Sequence, residues 1–97
     1  MSLLQTLTIV EKEGLANLHF AAEEVLSDAT EKRKREADLY RAMILGNEHH
    51  HKVKIVFMDE AHNPMQVETT VWHASDKYVL LKGARTIPVQ CIYEVVL

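Results

Sequence analysis

The sequence has few of the residues that identify a disulfide-rich protein or a phosphate-binding enzyme. Its only cysteine is Cys91, so no disulfide can form within the chain, and a lone thiol is typical of a reducing compartment. We therefore expect a cytoplasmic protein. The 3 glycines are far apart in the sequence and are each expected at a turn: Gly14, Gly46 and Gly83. Since no glycine-rich loop, no paired carboxylates and no Ser-His-Asp pattern can be assembled, the sequence predicts no enzyme and no cofactor.

Long apolar runs and an excess of basic residues are also missing. No run approaches the roughly 20 apolar residues that span a bilayer, and the first residues lack the basic segment of a signal peptide. We therefore expect no membrane partner. The formal net charge of −3 argues against a generally basic nucleic-acid binder. The 97 residues are expected to form a small core, for which oligomerisation is a common source of stability.

The second half of the chain, residues 52–97, has the pattern of short antiparallel strands. Apolar and β-branched residues alternate with polar ones, and Asp, Asn, Pro and Gly residues separate the runs. Pro88 cannot donate to a strand ladder, so the fourth strand is expected either to lie at an edge or to end at Pro88. The predicted strands, with one helical turn before the last, are Val53–Phe57, Met65–Ala74, Tyr78–Lys82, Arg85–Val89 and Tyr93–Leu97. Strands this short favour a five-stranded barrel of the SH3-like or Sm-like kind, because closure leaves no open edges.

The first half of the chain is predicted to be mainly helical, which makes the fold class α+β. Neither Gly nor Pro occurs from Leu15 to Leu45, and residues 15–46 are predicted as a helical arm that ends at Gly46. The arm is either one long helix or two helices separated near Ser27, with Ser27 or Asp28 as the cap. Its apolar seam is Leu15, Leu18, Ala22, Val25 and Ala29, then Ala37, Tyr40, Met43 and Ile44.

Residues 1–14 are left undecided between helix and strand.

The apolar seam of the helical arm is longer than a small barrel can cover. We therefore expect the arm to pack against a second copy of the chain, which makes the protein a homo-oligomer.

Residues 39–97 resemble the bacterial Sm-like RNA chaperones, the Hfq family, in the order of a short helix and bent strands. Asp76 stands where that family has a turn aspartate, and Lys77 and Tyr78 stand where it places a polar residue and an aromatic around a uridine. Two features differ: residues 67–70 lack the family's strand glycine, and residues 89–90 are Val-Gln rather than Lys-His. The resemblance implies an Sm-like barrel and, as a possible function, RNA binding.

Two sets of residues are candidates for binding. The first is a surface on the predicted barrel, formed by Trp72, Lys77, Tyr78 and Gln90. The second is the basic cluster, whose members could contact phosphates: Lys32, Arg33, Lys34, Arg35 and Arg41. Acidic residues four positions away along the helix would neutralise much of this cluster, in the pairs Glu31–Arg35, Lys32–Glu36 and Lys34–Asp38.

Other patterns are interpreted as structural. The run His49–His51 has no ligand spacing of a known metal site, and Asp59-Glu60-Ala61-His62 reads as a turn because no phosphate loop accompanies it. Cys91 lies in an apolar strand and is expected to be buried. The sequence thus favours a non-enzymatic, homo-oligomeric interaction module, with an Sm-like RNA-binding protein as the alternative.

Overall fold

The computed structural model describes residues 7–97, which form an α+β fold with a 21-residue helix and seven strands. Short 3-10 helices occupy Lys12–Asn17 and Val89–Cys91. The main elements in chain order are β1 (Thr8–Ile9), α1 (Ala29–His49), β2 (Val53–Met58), β3 (Pro64–Thr69), β4 (Val71–Ala74), β5 (Tyr78–Leu81), β6 (Arg85–Pro88) and β7 (Ile92–Val96). The undecided region 1–14 therefore contains a short strand, and its first six residues lie outside the described part.

The strands form two sheets, with the orders β1-β3-β2-β7 and β4-β5-β6. All pairs are antiparallel except β1 with β3. The predicted second strand passes from one sheet to the other at Thr70, where alternation stops: Thr69, Thr70 and Val71 are all buried. The Thr70 carbonyl accepts a hydrogen bond of 2.9 Å from the Lys82 amide, which holds the bend.

The α+β class is confirmed, but the strands of residues 7–97 do not form one closed five-stranded barrel. The predicted strand 65–74 is divided between the two sheets, and β1 adds a strand from the region left undecided between helix and strand. A single cluster of buried apolar side chains draws on both sheets and on α1, and includes Leu39, Ala42, Ile55, Phe57, Val67, Leu81, Ile87 and Ile92.

The helical arm predicted over residues 15–46 is α-helical only from Ala29 onward, and its first three residues belong to a 3-10 helix. As the two-helix alternative proposed, Asp28 is the cap of α1, and its carboxylate accepts a 3.1 Å hydrogen bond from the Thr30 amide. Residues 18–28 are not helical, so the seam predicted there is wrong. Apolar residues of this non-helical segment instead reach the core individually: Ala21 and Leu26 are buried, whereas the seam residue Ala22 is exposed.

Backbone hydrogen bonds attach this N-terminal segment to β2 and to the 3-10 helix before β7, both far away in sequence. The Ala21 amide donates to the Met58 carbonyl at 3.1 Å, and the Val25 amide donates to the Gln90 carbonyl at 2.9 Å. The Phe20 ring packs edge-on against Phe57, with 5.6 Å between ring centroids. These long-range bonds satisfy backbone groups that a helix would have satisfied locally, which is why local periodicity misassigned the segment.

The C-terminal half of α1 covers the outer edge of β4. Gly46 lies inside the helix, which continues to His49 and ends at His50, whose φ of 53° is left-handed. A Cβ atom on Gly46 would lie 2.2 Å from the Val71 carbonyl oxygen. Gly46 is therefore not the helix stop that the sequence predicted; it permits close contact between the helix and β4, which protects that strand edge.

Candidate functional site

Two elements that pack against each other, α1 and β4, together expose three large apolar side chains. Tyr40 is 59% exposed and Ile44 is 37% exposed, and they lie one helical turn apart on the side of α1 that faces away from its buried residues. Trp72 of β4 is 44% exposed. The two elements are neighbours, because Gly46 of α1 approaches Val71 of β4 and Tyr40 lines a groove with Ala74. We call Tyr40, Ile44 and Trp72 the α1–β4 surface.

An irregularity in β4 explains why Trp72 and His73 are both on the outer face. Val71 pairs with Leu81, but the next paired residue is His73, opposite Leu80. Trp72 is therefore the extra residue of a β-bulge, and both Trp72 and His73 are exposed. Simple alternation would have left only one of these two side chains on the outer face.

An open groove of ≈ 660 Å³ runs beside the α1–β4 surface, between α1 and the turn that joins β4 to β5. Its walls carry basic and acidic side chains as well as Tyr40, and they include Lys32, Arg33, Glu36, Ser75 and Asp76. The groove therefore joins the apolar surface to part of the basic cluster.

The four residues predicted to form a binding surface on the barrel do not share one environment. Lys77 and Tyr78 are exposed after the β4–β5 turn, where the Ser75 hydroxyl accepts hydrogen bonds from both of their amides at 3.2 and 3.0 Å. Gln90 is half-buried, and its Nε2 donates to the Ala21 carbonyl at 3.3 Å. Gln90 therefore fastens the N-terminal segment, while Trp72 belongs to the α1–β4 surface.

Arg35 has a different environment from the rest of the basic cluster. Its guanidinium is buried and donates to both carboxylate oxygens of Glu24, at 2.7 and 2.6 Å, and to the Ile92 carbonyl at 2.9 Å. Hydrogen bonds from Arg35 hold the pKa of the Glu24 carboxyl below its ordinary value, despite partial desolvation. Arg35 is therefore not exposed for the contact with phosphates that the sequence suggested. Its carboxylate partner is Glu24 rather than the expected Glu31. Glu24 lies outside α1, where no helical spacing rule applies.

The other members of the cluster are exposed on α1. Lys34 forms the predicted i,i+4 ion pair with Asp38, at 2.7 Å between Nζ and Oδ2. Three of the five basic residues, Lys32, Arg33 and Arg41, are therefore exposed and not part of an ion pair within the described residues. Lys34 is exposed but paired, and Arg35 is buried.

The histidine run, the Asp59 turn and Cys91 lie in different parts of the fold. The histidine run lies at the C-terminal end of α1, and residues 7–97 contain no group of three or more His, Cys, Asp or Glu side chains arranged to hold a metal. Asp59 closes a turn, as predicted: its Oδ1 accepts from the Ala61 and Asn63 amides at 3.0 and 2.8 Å. Cys91 is fully buried with its Sγ 3.1 Å from the Pro88 carbonyl, and desolvation raises its thiol pKa to about 12.

The chain matches no protein-family model, no curated protein and no solved structure. Within the described residues, α1 falls short of the apolar length that a membrane crossing needs. The α1–β4 surface is the feature from which a function can be inferred.

Proposed function

We propose that this chain is a non-enzymatic assembly module whose copies associate through the α1–β4 surface. The observation that supports the proposal is the exposure of Tyr40, Ile44 and Trp72 on two elements packed against each other. Single exposed apolar residues are normal, but neighbouring large ones are typical of interaction sites. Tryptophan and tyrosine are also enriched among the residues that dominate interface energies.

The surface is built on elements that are held firmly in place. Gly46 brings the α1 backbone against Val71, and the helix is capped by Asp28 at one end and by the left-handed His50 at the other. A surface held in one geometry before binding loses less conformational entropy on association. This rigidity supports a binding role rather than accidental exposure.

We also infer that the two sheets are an unclosed form of the small barrel that the sequence predicts. Three features support this inference: the continuous passage of β3 into β4 at Thr70, the pairing of β2 with β7, and the 3-10 helix that precedes β7. Barrels of this kind serve many unrelated functions, so the fold by itself does not select one.

The proposed association can be tested with two tyrosines of nearly equal exposure. Tyr40 is 59% exposed on the α1–β4 surface, and Tyr78 is 56% exposed on β5. We expect Tyr40→Ser to weaken self-association about 30-fold, the effect of losing one dominant interface residue, while Tyr78→Ser leaves it unchanged. The measurement is sedimentation equilibrium over a range of concentrations. A mass of 11.1 kDa for the wild type at every concentration would refute the proposal.

An Sm-like RNA-binding role is the second candidate, and the exposed pair Lys77 and Tyr78 favours it. An exposed aromatic can stack a base, and a neighbouring lysine can contact phosphate. We expect a labelled uridine-rich oligonucleotide to bind with an affinity that falls as salt rises. Tyr78→Ser should weaken that binding and Tyr40→Ser should not, so the same two variants separate the two functions. Absence of binding at low ionic strength would remove this candidate.

A further inference from the structure

The exposed face of α1 carries opposite charges at its two ends and apolar residues between them. Arg33, Ala37, Tyr40, Ile44 and Glu48 are all exposed. At about 100° per residue, these five positions lie within an arc of about 80° on one side of the helix. The side chains that α1 buries against the sheets lie on another side of the helix: Arg35, Leu39 and Ala42.

Building on the self-association proposed above, we propose that two copies pair through α1 in an antiparallel, two-fold arrangement. The axis would pass near the midpoint between Tyr40 and Arg41. Residues equally distant from that midpoint then lie level with each other, so Arg33 of one copy meets Glu48 of the other. Ala37 meets Ile44 in the same way, a small side chain against a large one. Two-fold symmetry forms each of these contacts twice.

Charge selects this direction over the alternative. A parallel pairing of α1 would place Arg33 beside a second Arg33 and Glu48 beside a second Glu48, which is unfavourable at both ends. The antiparallel pairing replaces both repulsions with attractions and also aligns the helix dipoles favourably. Within the described residues, Arg33 makes only a 3.5 Å hydrogen bond to Thr30, and Glu48 lies 3.9 Å from the His49 imidazole. Both side chains are therefore available for a partner.

Arg41 is an unfavourable element of the same arrangement. It lies at the margin of the face, next to the axis, and the pairing brings its two copies near each other. Replacement by a neutral residue of similar size, Arg41→Gln, should therefore tighten association several-fold.

The direction of pairing can be tested by charge reversal. We expect Arg33→Glu and Glu48→Arg each to weaken association about tenfold at low ionic strength, since each change converts two attractions into two repulsions. The double variant should return to within about twofold of the wild type. Lys77→Glu is the matched control, because it makes the same change of charge away from α1 and should leave association unaltered. Failure of the double variant to recover would overturn the antiparallel arrangement.

Cross-linking gives an independent test, because the buried Cys91 is shielded from an oxidant. A mixture of Arg33→Cys chains with Glu48→Cys chains should form a disulfide-linked dimer, whereas Arg33→Cys chains alone should not. A parallel pairing predicts the reverse. If either test fails while Tyr40→Ser still weakens association, the antiparallel arrangement is wrong and the proposed function stands. If the wild type does not associate at all, both the antiparallel arrangement and the proposed function are wrong.

Discussion

Replacing Gly46 with alanine should destabilise the protein by about 3 kcal/mol, as expected when an atom is forced into a close-packed contact. In most helix interiors this substitution stabilises, by about 0.5–1 kcal/mol. Here the new Cβ would lie 2.2 Å from the Val71 carbonyl oxygen, which belongs to the backbone of β4 and cannot rotate away. Either α1 must move off β4 or the strand must bend. The free energy of unfolding in urea measures the effect.

Gly14 offers the matched control for this substitution. Its Cβ would have no neighbour within 4 Å, so Gly14→Ala should change stability by no more than about 0.5 kcal/mol. An equal loss from both variants would show that glycine flexibility, rather than the approach of α1 to β4, sets the effect at Gly46. A stabilising Gly46→Ala would contradict the packing described above.

Replacing Arg35 with methionine should lower the free energy of unfolding by about 3 kcal/mol at neutral pH, the lower end of the range for breaking a buried ion pair. The substitution leaves the Glu24 carboxylate without its guanidinium and the Ile92 carbonyl without its 2.9 Å donor. The value lies at the lower end because Glu24 remains partly in contact with water. Lys34→Met is the control: the exposed pair with Asp38 should contribute less than about 1 kcal/mol.

The pH dependence of the Arg35 effect has a definite sign. The pKa of Glu24 is lowered in the folded protein, so its contribution is complete above the unfolded-state pKa of about 4.3. The contribution is lost as the pH falls through the lower, folded-state pKa. The difference in stability between wild type and Arg35→Met should therefore narrow as the pH falls below about 4. A difference independent of pH from 7 to 3 would show that packing, not the ion pair, is responsible.

The sequence predicts the structure correctly where neighbouring residues determine it. Four of the five predicted strands occur close to their expected positions, and Asp28 caps α1 as its side-chain chemistry suggests. The Asp59 turn, the burial of Cys91 and the Lys34–Asp38 pair also follow from neighbouring residues alone.

The sequence does not predict the structure where contacts between distant segments determine it. Leu15 and Ala22 have helical spacing, yet residues 18–28 gain more from contacts with β2 and the 3-10 helix before β7 than from a helix. The partner of Arg35 comes from that same segment. Gly46 was predicted to end the helix because the residues around it in sequence do not indicate that Val71 approaches it in the fold. Trp72 was identified as a candidate, but the bulge that exposes His73 beside it depends on pairing with β5.

The attachment of residues 18–28 to the far end of the fold has a consequence for synthesis on the ribosome. Val25 bonds to Gln90, Arg35 bonds to Ile92, and β2 finds one of its two neighbours in β7. None of these bonds can form until residues 90–96 have left the exit tunnel. Until then Leu15 and Leu26 remain open to solvent or to chaperones, and these segments should fold together in one step once residues 90–96 have emerged.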